Sequence, residues 1–143
     1  MTYVQSALRL LLAVFYAYAG YAHIAAPGPF LAITPDWVPL PQAVIYWTGI
    51  AEIAGAIALA QPFSQALRKW GGAGLALYAL CVWPANINHF AMDLAKADAG
   101  ITEGVLGLGY HIPRMIAQPV LIWLALWLGG VTDWTPARLW RRN

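Results

Sequence analysis

Four apolar runs, each close to the length of a membrane-crossing helix, constrain this chain more than any other feature. They lie at about 4–24, 43–60, 71–90 and 112–130. A bilayer core about 30 Å thick requires roughly 20 apolar residues in a helix, and backbone groups there must bond within their own segment. We therefore predict an all-α fold in which 1–143 form a single domain, a membrane-embedded antiparallel four-helix bundle.

The scarcity of charge supports this class. The 143 residues include eight Lys+Arg and six Asp+Glu, so 10 % are charged, while 61 % are hydrophobic. A soluble domain usually has about 25 % charged residues, which argues against a soluble enzyme or a disordered chain. With a net charge of +2 there is no basic patch for phosphates, so we expect the lipid bilayer, not nucleic acid, as a partner.

Basic residues outside the runs predict the orientation. Most of them lie in the connection between the second and third runs or in the C-terminal tail: Arg68, Lys69, Arg138, Arg141 and Arg142. Only Lys96 lies in the other two connections. The positive-inside rule therefore places both termini in the cytoplasm, and we expect an integral protein of a bacterial inner (plasma) membrane.

The two outward connections differ in character. Ala26 to Gln42 contains five prolines but many apolar residues, which predicts a short interfacial or re-entrant segment lying on the helices. Met92 to Tyr110 is polar and contains four glycines, which predicts a flexible cap.

Three charged residues fall inside the runs: Arg9, Glu52 and Arg114. Each is costly in a bilayer unless it is paired or faces a cavity. They are therefore candidates for structural ion pairs. Glu52 is the most demanding of the three, because it lies near the predicted midplane and its side chain is too short to reach water.

Most other polar residues near the runs fall in the outward half. They predict a polar pocket that is open outward and has a carboxylate at its floor, and Tyr18, Tyr21 and Trp47 are candidates to line it. The pocket candidates are His23, Glu52, Asn86, Asn88, His89, His111, Arg114 and Gln118. Asn86, Asn88 and His89 are expected to close the third helix, just after Pro84 disturbs its hydrogen bonding.

The sequence does not favour a metal or a haem, and no catalytic residue is identified. The histidines lack a short His-x-x-His spacing, and Arg114 would repel a cation. His23 and His89 lie at the rim of the predicted bundle, which is a poor position for a haem between two helices. The lone Cys81 cannot form an intramolecular disulfide and is predicted to be a buried apolar thiol.

Short motifs in a consistent order resemble the DoxX family of small four-helix membrane proteins. They cover nearly the whole chain and are, in order, Arg9–His23, Pro27–Phe30, Pro35–Pro41, Gly49–Glu52, Trp83–His89 and Ile112–Pro119. The family takes its name from a membrane subunit of a thiosulfate:quinone oxidoreductase. The resemblance implies a four-helix membrane fold and a link to redox partners or quinones.

Three functions remain in competition. The first is a redox- or quinone-associated membrane component that holds a quinone in its outward pocket. The second is a non-catalytic assembly or binding subunit, in which the buried charges are structural. The third is a small oligomeric transporter, which the lack of polar residues in the cytoplasmic half disfavours. In each case we expect a homo-oligomer or a larger membrane or redox partner.

Overall fold

A computed structural model describes residues 3–133, and within this range the chain is helical and has no strand. The helices are α1 (Tyr3–Ala25), α2 (Gly28–Leu31), α3 (Pro41–Ala60), α4 (Gln65–Asp98) and α5 (Leu108–Gly129). The predicted all-α class is confirmed for these residues. The tail arginines on which the orientation partly rests, Arg138, Arg141 and Arg142, lie outside the described residues.

The four long helices pack against one another. α1 contacts α3, α3 contacts α4, α4 contacts α5, and α5 also contacts α1. The core between them is formed by small and branched side chains together with one tyrosine: Leu12, Ala13, Tyr16, Ala56, Leu59, Leu75, Ala76, Ala125 and Leu128.

Glycines allow two of these helix pairs to approach closely. A Cβ at Gly20 in α1 would lie 2.5 Å from the carbonyl oxygen of Gly49 in α3. A Cβ at Gly72 in α4 would lie 2.5 Å from the carbonyl oxygen of Ala125 and 2.9 Å from the Cα of Gly129, both in α5. Small residues are the usual means by which helix backbones come into contact in membranes.

Among residues 3–133, three helices are long and apolar enough to cross a membrane: Tyr3–Ala25, Pro41–Ala60 and Leu108–Gly129. They contain the first, second and fourth predicted runs. The third predicted run lies within α4, which does not reach the same apolar content because it contains the polar residues Asn86, Asn88 and His89.

α4 is longer than the sequence predicted. The prediction that Asn86, Asn88 and His89 close this helix is wrong, because α4 continues past Pro84 to Asp98. An internal proline removes one backbone hydrogen bond and kinks a helix, but it does not always end it. Residues 91–98 are mostly good helix formers, so the first part of the predicted flexible cap is helix.

The proline-rich connection lies on the helices, as predicted. It consists of α2 and a series of turns, and the side chain of Asn88 in α4 donates a hydrogen bond to the carbonyl oxygen of Ile33 at 3.1 Å. It ends at Leu40, whose φ of 49° is left-handed although it is not glycine. Phe30 of α2 stacks on His23 with ring centroids 3.8 Å apart.

Candidate functional site

A cavity of about 330 Å³ lies between the helices and the proline-rich connection. Its helical lining comes from the C-terminal half of α1, the N-terminal half of α3 and the middle parts of α4 and α5. Five of the eight predicted pocket residues line it: His23, Glu52, Asn86, Arg114 and Gln118. Sequence reasoning therefore placed most of the polar groups of one cavity together.

The aromatic lining differs from the prediction. Tyr18, Tyr21 and Trp47 are exposed and do not line the cavity, so that prediction is wrong. Tyr18 and Tyr21 lie on the outer face of α1, and Trp47 lies on the outer face of α3. The aromatic residues that do line the cavity are Phe15, Tyr16, Phe30, Trp37 and Tyr78. Cys81 also lines it and is exposed, so the prediction of a buried thiol is wrong as well.

Glu52 lies against His23 rather than against an arginine. Its Oε2 is 2.9 Å from His23 Nδ1, and Glu52 is only 2 % exposed. The N–H of His23 Nδ1 donates to the carbonyl oxygen of Ala19 at 2.8 Å, because a carbonyl can only accept. The other ring nitrogen, Nε2, lies 3.4 Å from the hydroxyl of Tyr78. The acid is therefore next to a histidine and a tyrosine.

Three buried oxygen atoms of the cavity residues have no hydrogen-bond partner within residues 3–133. They are the Tyr16 hydroxyl, Gln118 Oε1 and Glu52 Oε2, the last of which is close to His23 but outside hydrogen-bond geometry. A buried polar atom without a partner costs free energy. The residues that carry these atoms line the cavity, so its wall includes polar groups whose hydrogen-bonding capacity is not fully used.

Arg114 brings a positive charge to the opposite wall. Its Nη1 is 2.9 Å from His89 Nδ1 and donates to the Tyr110 hydroxyl at 3.0 Å, while its Nη2 donates to Asn86 Oδ1. The guanidinium also lies over the Tyr110 ring, 5.1 Å from its centroid. None of these partners is a carboxylate, so the cation is held by neutral groups.

Behind Arg114 lies a second polar cluster, centred on Asp93. Asp93 Oδ2 accepts hydrogen bonds from the backbone N–H of Leu106 and from His111 Nε2, both at 3.0 Å. His89 Nε2 lies 3.6 Å from the same oxygen, and Lys96 Nζ lies 3.6 Å from Oδ1. The predicted pocket residues His89 and His111 therefore belong to this cluster and not to the cavity lining.

Sequence reasoning missed Asp93, which is 2 % exposed. It was assigned to the polar cap because the third helix was expected to end before it. With α4 extended to Asp98, Asn86, His89 and Asp93 have i, i+3, i+7 spacing and share one helix face. This spacing is the signal that would have identified the cluster.

The Asp93 cluster is better suited to hydrogen bonds than to a metal ion. Asp93, His89 and His111 each offer a ligand atom within 4.8 Å of the others. Arginine can only donate, so its contact with His89 Nδ1 requires the hydrogen of that ring to be on Nε2. A metal on Nε2 would move this hydrogen to Nδ1, where it would face the guanidinium.

Acid titration should reveal the charge of Asp93. The hydrogen bond from Leu106 N–H, opposed by burial and assisted by His111, His89 and Lys96, keeps the pKa of Asp93 below its ordinary value of 3.8. A lowered folded-state pKa stabilises the fold above the unfolded-state pKa, and this stability is lost as the pH falls through the folded-state value. We expect the melting temperature to fall less between about pH 5 and pH 2 in Asp93→Asn than in the wild type.

Asp98→Asn is the matched control, because Asp98 is exposed on the same helix. It should follow the wild-type acid profile. An Asp93→Asn variant with an unchanged profile would contradict the assignment of a charged Asp93.

Comparison with known proteins places the chain in a family without assigning an activity. No curated protein and no solved structure matches it. One family matches residues 12–129, a range that includes every residue lining the cavity. The chain belongs to this family, which is described as a domain of unknown function (DUF8561).

Proposed function

We propose that this chain is a DoxX-like integral membrane protein that binds a quinone in the cavity, as a component of a membrane redox system. In this proposal the four long helices form an antiparallel bundle in a bacterial inner membrane, with both termini cytoplasmic and the cavity in the outward half. The observation that carries the proposal is the apolar, aromatic cavity with unpartnered polar atoms on its wall.

The exposed surface supports the membrane location. Every long helix exposes large apolar side chains, as Leu11 and Val14 do on α1, Ile57 on α3, Leu77 on α4 and Ile116 on α5. Soluble proteins rarely expose continuous apolar surface of this extent. The proposal accounts for this surface by placing it in contact with lipid.

The size and chemistry of the cavity support a quinone. Small-molecule sites usually have about 300–1,000 Å³, mostly apolar walls and a few placed polar groups, and this cavity has about 330 Å³. A quinone ring is flat and apolar and has a carbonyl oxygen at each end. Arg114 offers a donor on one wall, and the Glu52–His23 pair offers an exchangeable proton on the other.

A quinone-binding protein of this kind needs a source or acceptor of electrons. The chain has one cysteine and therefore no internal thiol pair. We include in the proposal a larger membrane redox protein, or a second copy of the chain, as the partner. The supporting observation is the exposed apolar surface of every long helix, which a neighbouring membrane helix can cover.

Binding of decylubiquinone to purified protein in lipid nanodiscs tests the proposal. Quenching of tryptophan fluorescence is a suitable signal because Trp37 lines the cavity. We expect saturable quenching that decreases in Trp37→Phe but persists in Trp70→Phe, which alters an exposed tryptophan at the start of α4. Equal quenching in both variants would place the quinone elsewhere.

Two cavity variants test which groups bind the quinone. Glu52→Gln and Arg114→Ala should each weaken binding by about tenfold or more, since a hydrogen bond to a charged group contributes roughly 1.5–3 kcal/mol. Glu103→Gln alters the chain's only other glutamate, which is exposed in the loop before α5, and should leave binding unchanged. Unchanged binding of decylubiquinone in both cavity variants would contradict the proposal.

A further inference from the structure

We infer that His89 and Asp93 are positioning residues, which hold the guanidinium of Arg114 at the cavity wall so that it can bind an acceptor oxygen of the ligand. The ligand part of this inference rests on the proposed function. The hydrogen-bond arrangement does not, and it is tested below without any ligand.

The first step is the tautomer of His89. Arg114 Nη1 lies 2.9 Å from His89 Nδ1, and a guanidinium has no acceptor. His89 Nδ1 must therefore accept, and in a neutral ring the hydrogen is then on Nε2. Nε2 is the atom directed to Asp93 Oδ2, at 3.6 Å. The carboxylate thus favours the one tautomer that can hold the arginine.

The second step is the fixed position of Asp93. Its Oδ2 is held by the backbone N–H of Leu106 and by His111 Nε2, which come from the loop after α4 and from α5. His111 is itself 1 % exposed and stacks on Phe90, with ring centroids 4.8 Å apart. The carboxylate is therefore held by groups from two other chain segments and can orient His89.

The guanidinium of Arg114 also has hydrogens that its protein partners do not use. Nη1 uses its hydrogens on His89 and Tyr110, and Nη2 uses one on Asn86. The second hydrogen of Nη2 and the hydrogen of Nε make no hydrogen bond within residues 3–133. Because Arg114 and Asn86 both line the cavity, these donors suit a carbonyl or carboxylate oxygen placed there.

Protonation of His89 would break this arrangement. A second ring hydrogen on Nδ1 would face the Nη1 hydrogens, and two positive groups would lie within 3 Å of each other. Arg114 would then have to leave His89. Ligand binding that depends on the position of Arg114 should therefore weaken as the pH falls through the range in which histidine titrates.

Nuclear magnetic resonance of ¹⁵N-histidine-labelled protein tests the tautomer without a ligand. The chain has only three histidines, so His23, His89 and His111 can be assigned by single substitutions. At pH 8 we expect His89 to show a protonated Nε2 and an unprotonated Nδ1, and Asp93→Asn to reduce the share of this tautomer. A protonated Nδ1 in the wild type would overturn the inference.

Decylubiquinone titrations at pH 8 and pH 5.5 test the consequence for binding. The wild type should bind more than about twofold more weakly at pH 5.5 than at pH 8, because protonation of His89 displaces Arg114. His89→Asn keeps an acceptor oxygen near the position of Nδ1 but does not titrate. Its affinity for decylubiquinone should change less than about twofold between the two pH values.

Other groups near these residues also titrate or carry charge. Asp93, Lys96, Tyr110, His111 and Arg114 surround His89, and the cavity also contains a second ionisable pair, His23 and Glu52. All of them are retained in His89→Asn, so the difference between the two pH profiles reports on His89 alone.

The outcomes separate the two proposals. If the wild type binds equally at both pH values, or if His89→Asn keeps the full pH dependence, the positioning role is wrong and quinone binding stands. If the wild type does not bind the quinone at either pH, the proposed function fails. The tautomer of His89, measured by nuclear magnetic resonance, then decides whether His89 and Asp93 hold Arg114.

Discussion

Leucine in place of Gly72 is expected to separate α4 from α5 and to lower the free energy of unfolding by about 3 kcal/mol or more. A Cβ here would lie 2.5 Å from the carbonyl oxygen of Ala125 and 2.9 Å from the Cα of Gly129. These are backbone atoms, which cannot rotate away as a side chain can, so the helices themselves must move. Unfolding by SDS in mixed micelles measures the effect.

Gly74→Leu is the matched control on the same helix. Nothing lies within 4 Å of a Cβ at Gly74, which is exposed. Glycine inside a helix costs up to about 1 kcal/mol relative to a good helix former, so this variant should be as stable as the wild type or slightly more stable. Equal destabilisation by both substitutions would show that the α4–α5 contact is not the cause.

Breaking the His23–Glu52 pair should have a similarly large effect. Removing one partner of a buried ion pair typically costs about 3–5 kcal/mol, whereas replacing both partners by apolar residues is often neutral or stabilising. We expect His23→Leu to lower the free energy of unfolding by about 3 kcal/mol, because Glu52 then keeps a buried carboxyl without its neighbour.

The double variant His23→Leu/Glu52→Leu completes the cycle. It should recover most of the stability lost in His23→Leu, because no buried carboxyl is left, and it should not bind decylubiquinone. A cycle made from the wild type, both single variants and the double variant isolates the coupling between the two residues. Additive losses would mean that the 2.9 Å contact contributes nothing to stability.

The sequence predicted the helical class and the region of the site because both depend on composition along the chain. Runs of apolar residues are visible without any structure, and so is the clustering of His23, Asn86, Arg114 and Gln118 near one end of those runs. The packing of the helices then brings residues that are far apart in sequence together, so that they line one cavity.

The partners of these residues could not be predicted in the same way. Whether Glu52 meets a histidine or an arginine depends on the rotation of α1 and α3 about their axes, which the close contact of Gly20 and Gly49 fixes. The assignment of Asp93 to a helix or to a loop depended on where α4 ends. Pro84 inside the helix suggested an earlier end than the one the structure has. Helix ends are set by local capping and packing that apolar content does not report.

The length of α4 has a consequence for how molecules reach this protein. A helix of 34 residues is about 51 Å long at about 1.5 Å per residue, which is about 20 Å more than the thickness of a bilayer core of about 30 Å. In the proposed orientation, its last turns and Asp93 stand among the lipid headgroups and the water above them. A protein that approaches from the aqueous side would contact the last turns of α4 first, whereas a lipid-soluble molecule would enter the cavity from the bilayer, between the helices.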